Sequence, residues 1–392
     1  MAKFRFTGHL ACCNVLNRST NVLKLFLLGM VFLNLTFWTL FLISSHTRLL
    51  VHIKRDACTK KPSFVSNAQA AVPDEESETD ETFDISTIYQ SINPIWEFNA
   101  TAADELRTLL DKECNTEGTF ITTKESAKID DSFLYHGHQK LKIKITPEIY
   151  RRFPKKLNYK KKQYKTCSIV GNSGILLGSR CGKQIDSADF VARFNNARIR
   201  RYALDTGVKT DFITCNPSIL TLNYYGLADN STARFQRDML NEYGNATVFF
   251  PAFACRLCTP LAFKAQDVLE STDMETVFGH PHHAASARAF WEKRGVNVVS
   301  LSSGKYASLG LLLFTGLFHF CEEVHLYGYW PFPEDPYGKS LHFHYYDRKM
   351  TMRTDKKHGI DVHNMPSEFK WLVEFHNQGI LRLHVGARDC FP

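Results

Sequence analysis

The chain has 392 residues, 44% of them hydrophobic and 13% aromatic, and a formal net charge of +8. That much apolar material excludes a disordered protein and predicts one large domain with appendages. The charge is moderate and uneven, so overall basicity carries no case for a nucleic-acid partner.

Residues 1–24 read as a tail. From Leu25 to Ile43, 19 residues carry no charge and are interrupted only by Asn34, Thr36 and Thr39, which is long enough to cross a bilayer. The run predicts a transmembrane helix or uncleaved signal-anchor. A cleavable signal peptide is the rival, but no small-x-small cleavage site follows. Basic residues flank both ends (Lys3, Arg5, Arg18 and Lys24 before; Arg48, Lys54, Arg55, Lys60 and Lys61 after), so charge sets no orientation. Three N-x-S/T acceptors, at Asn99, Asn230 and Asn245, and nine cysteines lie beyond the span. Both suit an oxidising, glycosylating lumen and predict a cytosolic tail with a luminal body. Cys12 and Cys13 then sit on the cytosolic side, either lipid-modified or free.

Residues 44–101 read as a stem. The run from Asp74 to Asp84 has seven acidic residues and no basic ones, in a Ser/Thr/Ala/Pro-rich context that buries too little to fold. The folded domain is expected from Ala102 to Pro392. From Lys140 to Lys165 eleven Lys/Arg face one Glu148. This is either a solvated basic face or a surface that attracts acidic acceptors or anionic membrane; nucleic acid is not expected in a lumen.

Strands are expected at Cys167–Val170, Phe190–Phe194, Asp211–Thr214, Ala246–Phe250, Val296–Leu301, Val324–Tyr329 and Ile380–Val385. Helical patterns lie between several of them, such as Ala284–Arg294 and Leu309–Phe320. The alternation predicts an α/β, Rossmann-like fold with a mostly parallel sheet flanked by helices and ligand at the strands' carboxyl ends. The first strand stops at Gly171-Asn172-Ser173-Gly174, which is either a phosphate-binding turn or a plain structural one. GNSGILLG is not the dinucleotide fingerprint. Cys255-x-x-Cys258 with His280, His282 and His283 is weak evidence for zinc, lacking a second pair at finger spacing.

Four segments resemble the motifs of the animal sialyltransferases, in their order. CSIVGNSGILLGSRCGKQID, FVARFNNA and TCNPS, within Cys167–Ser218, are similar to the large sialylmotif. Gly304–Phe332, ending CEEVHLYGYWPF, resembles the small one. His344-Tyr345-Tyr346-Asp347 is similar to the third motif, and His363 with Glu368 to the very small motif. GYWPF and HYYD resemble the α-2,8 subfamily, which joins sialic acid to sialic acid.

The resemblance implies a GT-A-like variant of the fold in a Golgi membrane enzyme with a CMP-sialic acid donor and no cofactor. The leaving group is a nucleoside monophosphate, and the sequence contains no Asp-x-Asp, so no metal is expected. It further implies that Asn172 and Asn195 hydrogen-bond the donor, that Trp330, Pro331 and Phe332 line the nucleotide pocket, and that Phe343 and His344 lie beside the phosphate. An imidazolium at His344 would stabilise the departing CMP. His363, with an unperturbed pKa of about 6.5, is the expected general base; the bland alternative is a surface or satisfied core histidine. Glu368 is expected to be structural, with Ser367 capping its helix. The small motif's Ser-Thr-Gly has two counterparts: Ser302-Ser303-Gly304, which is preferred, and Ser308-Leu309-Gly310.

The family's disulfides would join Cys167 to Cys321 and Cys181 to Cys390. Cys58, Cys114, Cys215, Cys255 and Cys258 remain, an odd number, and Cys58 in the stem is the natural thiol for a covalent homodimer. Polymerising members carry a basic segment before the small motif. Here Ser271–Ser300 mixes Asp273, Glu275 and Glu292 with Arg288, Lys293 and Arg294, which favours adding one or a few residues to a ganglioside or glycoprotein over polysialic acid synthesis. A non-catalytic sialoglycan-binding protein that keeps the fold is the alternative from another class.

Overall fold

The computed structural model describes residues 84–135, 138–156, 158–228, 230–296, 307–351, 363–386 and Cys390. The expected membrane span, most of the stem with Cys58, and Ser302, Ser303 and Gly304 lie outside the described residues. Among the described residues no helix is long and apolar enough to cross a membrane.

A hairpin of β1 (Ser132–Tyr135) and β2 (His138–Lys144) carries the first part of the basic stretch. The main sheet is built from β3 (Tyr164–Val170), β4 (Phe190–Arg193), β5 (Phe212–Thr214), β6 (Thr247–Phe250), β7 (Thr276–Phe278), β8 (Cys321–Tyr327) and, after the short antiparallel pair β9 (His342–His344) and β10 (Asp347–Thr351), β11 (Arg382–His384). Its order is β11-β8-β3-β4-β5-β6-β7, and every neighbouring pair is parallel. The residues of β4, β5 and β6 are all buried, as are the last four of β3. Continuous burial follows from helices on both faces, and it is why these strands read as apolar runs without alternation.

From β3 the chain steps outward on one side through β7, then returns to lay β8 and β11 on the other. The order therefore reverses between β3 and β8, and open α/β sheets bind ligands in the crevice beyond the strand ends at such a switch point.

The principal helices are α1 (Ala100–Cys114), α2 (Pro217–Tyr224), α3 (Ser231–Tyr243), α4 (Cys258–Leu269), α5 (Pro281–Glu292), α6 (Leu309–Phe320) and α7 (Met365–Asn377). The apolar α6 lies in the core, where Trp291 Nε1 donates to Thr315 Oγ1 at 2.9 Å, and the Ser308 hydroxyl caps it by accepting from Leu311 N.

Three features differ from the sequence expectations. The folded body reaches back to Asp84, which caps a short helix at Ile85–Gln90. Ile85, Ile88 and Tyr89 pack on the main core, and Trp96 Nε1 donates to Leu381 O at 2.8 Å. The sheet's last strand on one side is Thr276–Phe278, too short to show a period among Asp273, Met274 and Glu275. Of the strand expected at Val296–Leu301, Val296 is buried outside any strand and the rest lies outside the described residues. Finally, Asn364 rather than Ser367 caps α7: its side chain accepts from Ser367 N at 3.2 Å, because the chain turns into the helix before Met365-Pro366.

Cys167–Cys321 ties β3 to its neighbour β8, and Cys181–Cys390 ties the segment after the glycine turn to the C-terminus. Cys255 and Cys258 form a third disulfide, so neither thiolate is available for zinc. Cys114 and Cys215 are buried free thiols. Asn99, Asn230 and Asn245 are all exposed.

Candidate active site

The glycine turn closes on the far side of the switch point. Gly171 N donates to Tyr327 O at 2.7 Å and Ser173 N to Gly328 O at 3.1 Å, which extends the β3–β8 ladder past both strand ends. A Cβ on Gly171 would fall 2.3 Å from the Gly328 carbonyl oxygen, and one on Gly174 2.2 Å from that of His342. Backbone therefore meets backbone, and only glycine fits.

The third motif packs on the same turn. Tyr345 N donates to Asn172 O at 3.0 Å, and Ser173 bridges His344 through the backbone. Asn172 Nδ2 donates to Phe194 O at 3.1 Å, which brings the next strand end, and Asn195 after it, into the group. Asn195 takes a left-handed conformation (φ +58°), its N–H held by Thr214 Oγ1 at 3.1 Å. Its Oδ1 is buried with no hydrogen-bond partner among the described residues, as is Oδ1 of Asn216 after β5.

His344 stacks on Tyr346, ring centroids 5.1 Å apart at 12°. Burial pushes its pKa below the usual histidine value, and Asp347 opposes this. Burial thus favours the neutral imidazole, and a phosphate beside it would favour the charged form.

His363 stands half-buried just before α7, on the wall of a cavity of about 440 Å³ that Asn216, Ser218, Cys255, Cys258, Arg288 and Leu309 also line. Glu368, one turn into α7, is 5% exposed and holds the start of α6: its carboxylate accepts from Ser308 N at 2.7 Å and from Ser308 Oγ at 2.5 Å. Burial raises its pKa to about 7 against those hydrogen bonds. The structural role expected for Glu368 thus has a definite partner, in the second of the two serine-glycine triplets.

Trp330 and Phe332 are 2% and 3% exposed and pack on Phe369 of α7, with centroids 5.4 and 5.6 Å away. Trp330 Nε1 donates to Glu334 O. Their side chains are enclosed against α7 and seat the helix that follows His363. Pro331 and Phe343 are only half-buried.

The structure thus groups Asn172, Asn195 and His344 around the glycine turn, and His363 lines a cavity that Asn216, Pro217 and Ser218 also line. Among the described residues no group of three or more His, Cys, Asp or Glu side chains is placed to hold a metal ion.

Residues 120–380 match the model of glycosyltransferase family 29 (sialyltransferase). The chain belongs to this family. It is 36% identical over 306 residues to human alpha-2,8-sialyltransferase 8E, covering 75% of each. It is 34% identical over 291 residues to mouse alpha-2,8-sialyltransferase 8F, covering 74% of this chain and 69% of that one. To the Xenopus laevis alpha-N-acetylneuraminide alpha-2,8-sialyltransferase it is 32% identical over 295 residues, covering 74% and 78%. The region matched to this sialyltransferase family includes the glycine turn, Asn195, His344 and His363.

Proposed function

We propose that this sialyltransferase moves sialic acid from CMP-sialic acid to the 8-hydroxyl of a sialic acid that ends a glycan, without a metal ion and with inversion. The observation that carries the reading is that the glycine turn, Asn195 and His344 lie together at the carboxyl ends of the strands beside the switch point, while His363 lines a cavity with Asn216, which follows the neighbouring β5. The names of its relatives support the α-2,8 linkage.

In this reading Asn172 and Asn195 hold the donor, and His344, with Phe343 beside it, faces the phosphate. His363 takes the proton of the acceptor 8-hydroxyl as that oxygen bonds to the anomeric carbon. The bond from that carbon to the phosphate oxygen breaks, and CMP leaves with the electron pair. Protonation of His344 during transfer would offset charge growing on the phosphate. A monophosphate carries less charge than a diphosphate, which lowers the need for a divalent ion. Anchoring in the Golgi membrane through residues 25–43, glycosylation at Asn99, Asn230 and Asn245, and a dimer through Cys58 belong to the same reading.

The test is transfer of labelled sialic acid from CMP-sialic acid to sialyllactose, sialylated glycolipids and sialoglycoproteins by the solubilised full chain, with linkage analysis by mass spectrometry. A product with an α-2,8 bond is expected. Product only on galactose-terminated acceptors would contradict the linkage, and no product on any acceptor would contradict the enzyme reading.

A further inference from the structure

A second cavity, of about 600 Å³, opens at the other end of α2 and takes no part in the chemistry above. Its volume lies within the range of about 300–1,000 Å³ usual for ligand pockets. Arg198 from the loop after β4 and Arg234 and Arg237 from α3 all line it. None of the three guanidinium groups has an ion-pair partner among the described residues. The two carboxylates in the same wall are otherwise engaged. Asp238 accepts from Tyr224 OH at 3.2 Å, and Glu242 accepts from the backbone N–H groups of Ile199 and Arg200 at 3.0 and 3.1 Å.

Arg234 is held by stacking: its Cζ lies 5.0 Å from the ring centroid of Tyr224 and 5.8 Å from that of Tyr225. Stacking fixes the guanidinium plane and leaves its edge donors open, and Nε is buried with no hydrogen-bond partner among the described residues. A planar, pre-oriented guanidinium with an open edge is suited to bind a carboxylate.

The position relates this cavity to the transfer centre. Pro217 and Ser218, at the start of α2, line the His363 cavity, while Asn223 and Tyr224, at its end, line this one. Eight helical residues rise about 12 Å, a separation that a short oligosaccharide bridges. We infer that the Arg198–Arg234–Arg237 cavity is a second anionic-glycan subsite, taking the carboxylate of a sialic acid that lies behind the reacting one on a di- or oligosialylated acceptor. This rests on the reading that the chain extends sialylated glycans. It makes the subsite a determinant of how readily a product is extended again.

The test is the ratio of KM for α-2,8-disialyllactose to KM for sialyllactose, measured on the solubilised full chain carrying Arg234→Gln with Arg237→Gln, and on the Arg234→Lys/Arg237→Lys pair. Loss of a charge-assisted pair predicts that the Gln variant raises the ratio about tenfold, and that the Lys variant recovers part of it. An unchanged ratio overturns the subsite. So does a rise in KM for CMP-sialic acid at an unchanged ratio, which would assign the cavity to the donor. Titration calorimetry with disialyllactose separates the two readings if neither acceptor is turned over. Binding that the Gln pair abolishes keeps the subsite while the enzyme reading fails, and binding that it leaves intact removes the subsite.

Discussion

The two halves of the proposed active site are held by different means. Around the glycine turn, backbone touches backbone at Gly171 and Gly174, and two disulfides join residues 154 and 209 apart in sequence. On the acceptor side, His363 looks into an open cavity whose wall includes a disulfide closing a separation of only 3. The contrast shows where the fold places rigidity. The donor is a fixed nucleotide sugar and can be met by a rigid cradle, whereas acceptors vary in what lies behind the reacting hydroxyl.

Removing the long staples is the strongest way to break that contrast. In the chain-entropy model, Cys181→Ser with Cys390→Ser costs about 5 kcal/mol, and the thermal midpoint should fall accordingly. A midpoint unchanged on calorimetry would show that the donor half does not depend on its disulfide. Next comes Gly171→Ala, which forces a Cβ against the Gly328 carbonyl. It should cost about 1–3 kcal/mol and weaken CMP binding, read by calorimetry with CMP as probe.

Glu368 offers a test of comparable size that pH controls. Its folded pKa of about 7 lies above the ordinary 4.5, so the fold favours the protonated carboxyl. That contribution is full below about pH 4.5 and is lost as pH rises towards 7, a change on the order of 3 kcal/mol. Glu368→Gln should flatten this part of the stability profile; a variant with the wild-type slope would assign the slope elsewhere. The smallest effect is expected at the local disulfide. The Cys255–Cys258 bridge closes so short a loop that its removal by Cys255→Ser with Cys258→Ser puts about 2 kcal/mol at stake, and donor binding should not change.

Local signals were legible in the sequence. The buried strand that stops at GNSG and the apolar helix Leu309–Phe320 stand where their patterns put them. Interactions between distant segments were not legible. Nothing local marks Ser308 as the partner of Glu368, sixty residues on, or shows that Trp330 and Phe332 pack on Phe369. The docking of residues 85–99 was hidden beside an acidic run, and the arginine cavity is assembled from two elements that share no motif. The Cys255–Cys258 bridge was visible as a pair, but its state was not.

In the proposed mechanism His363 performs the proton transfer while the glycine-turn half of the site holds the donor. This is tested most directly by measuring kcat on sialyllactose together with the CMP dissociation constant for His363→Ala in the full chain. The expected result is a fall in kcat of about 10²–10⁴-fold with CMP binding at the wild-type value. A variant that keeps its kcat, or that loses turnover only together with CMP binding, would contradict it.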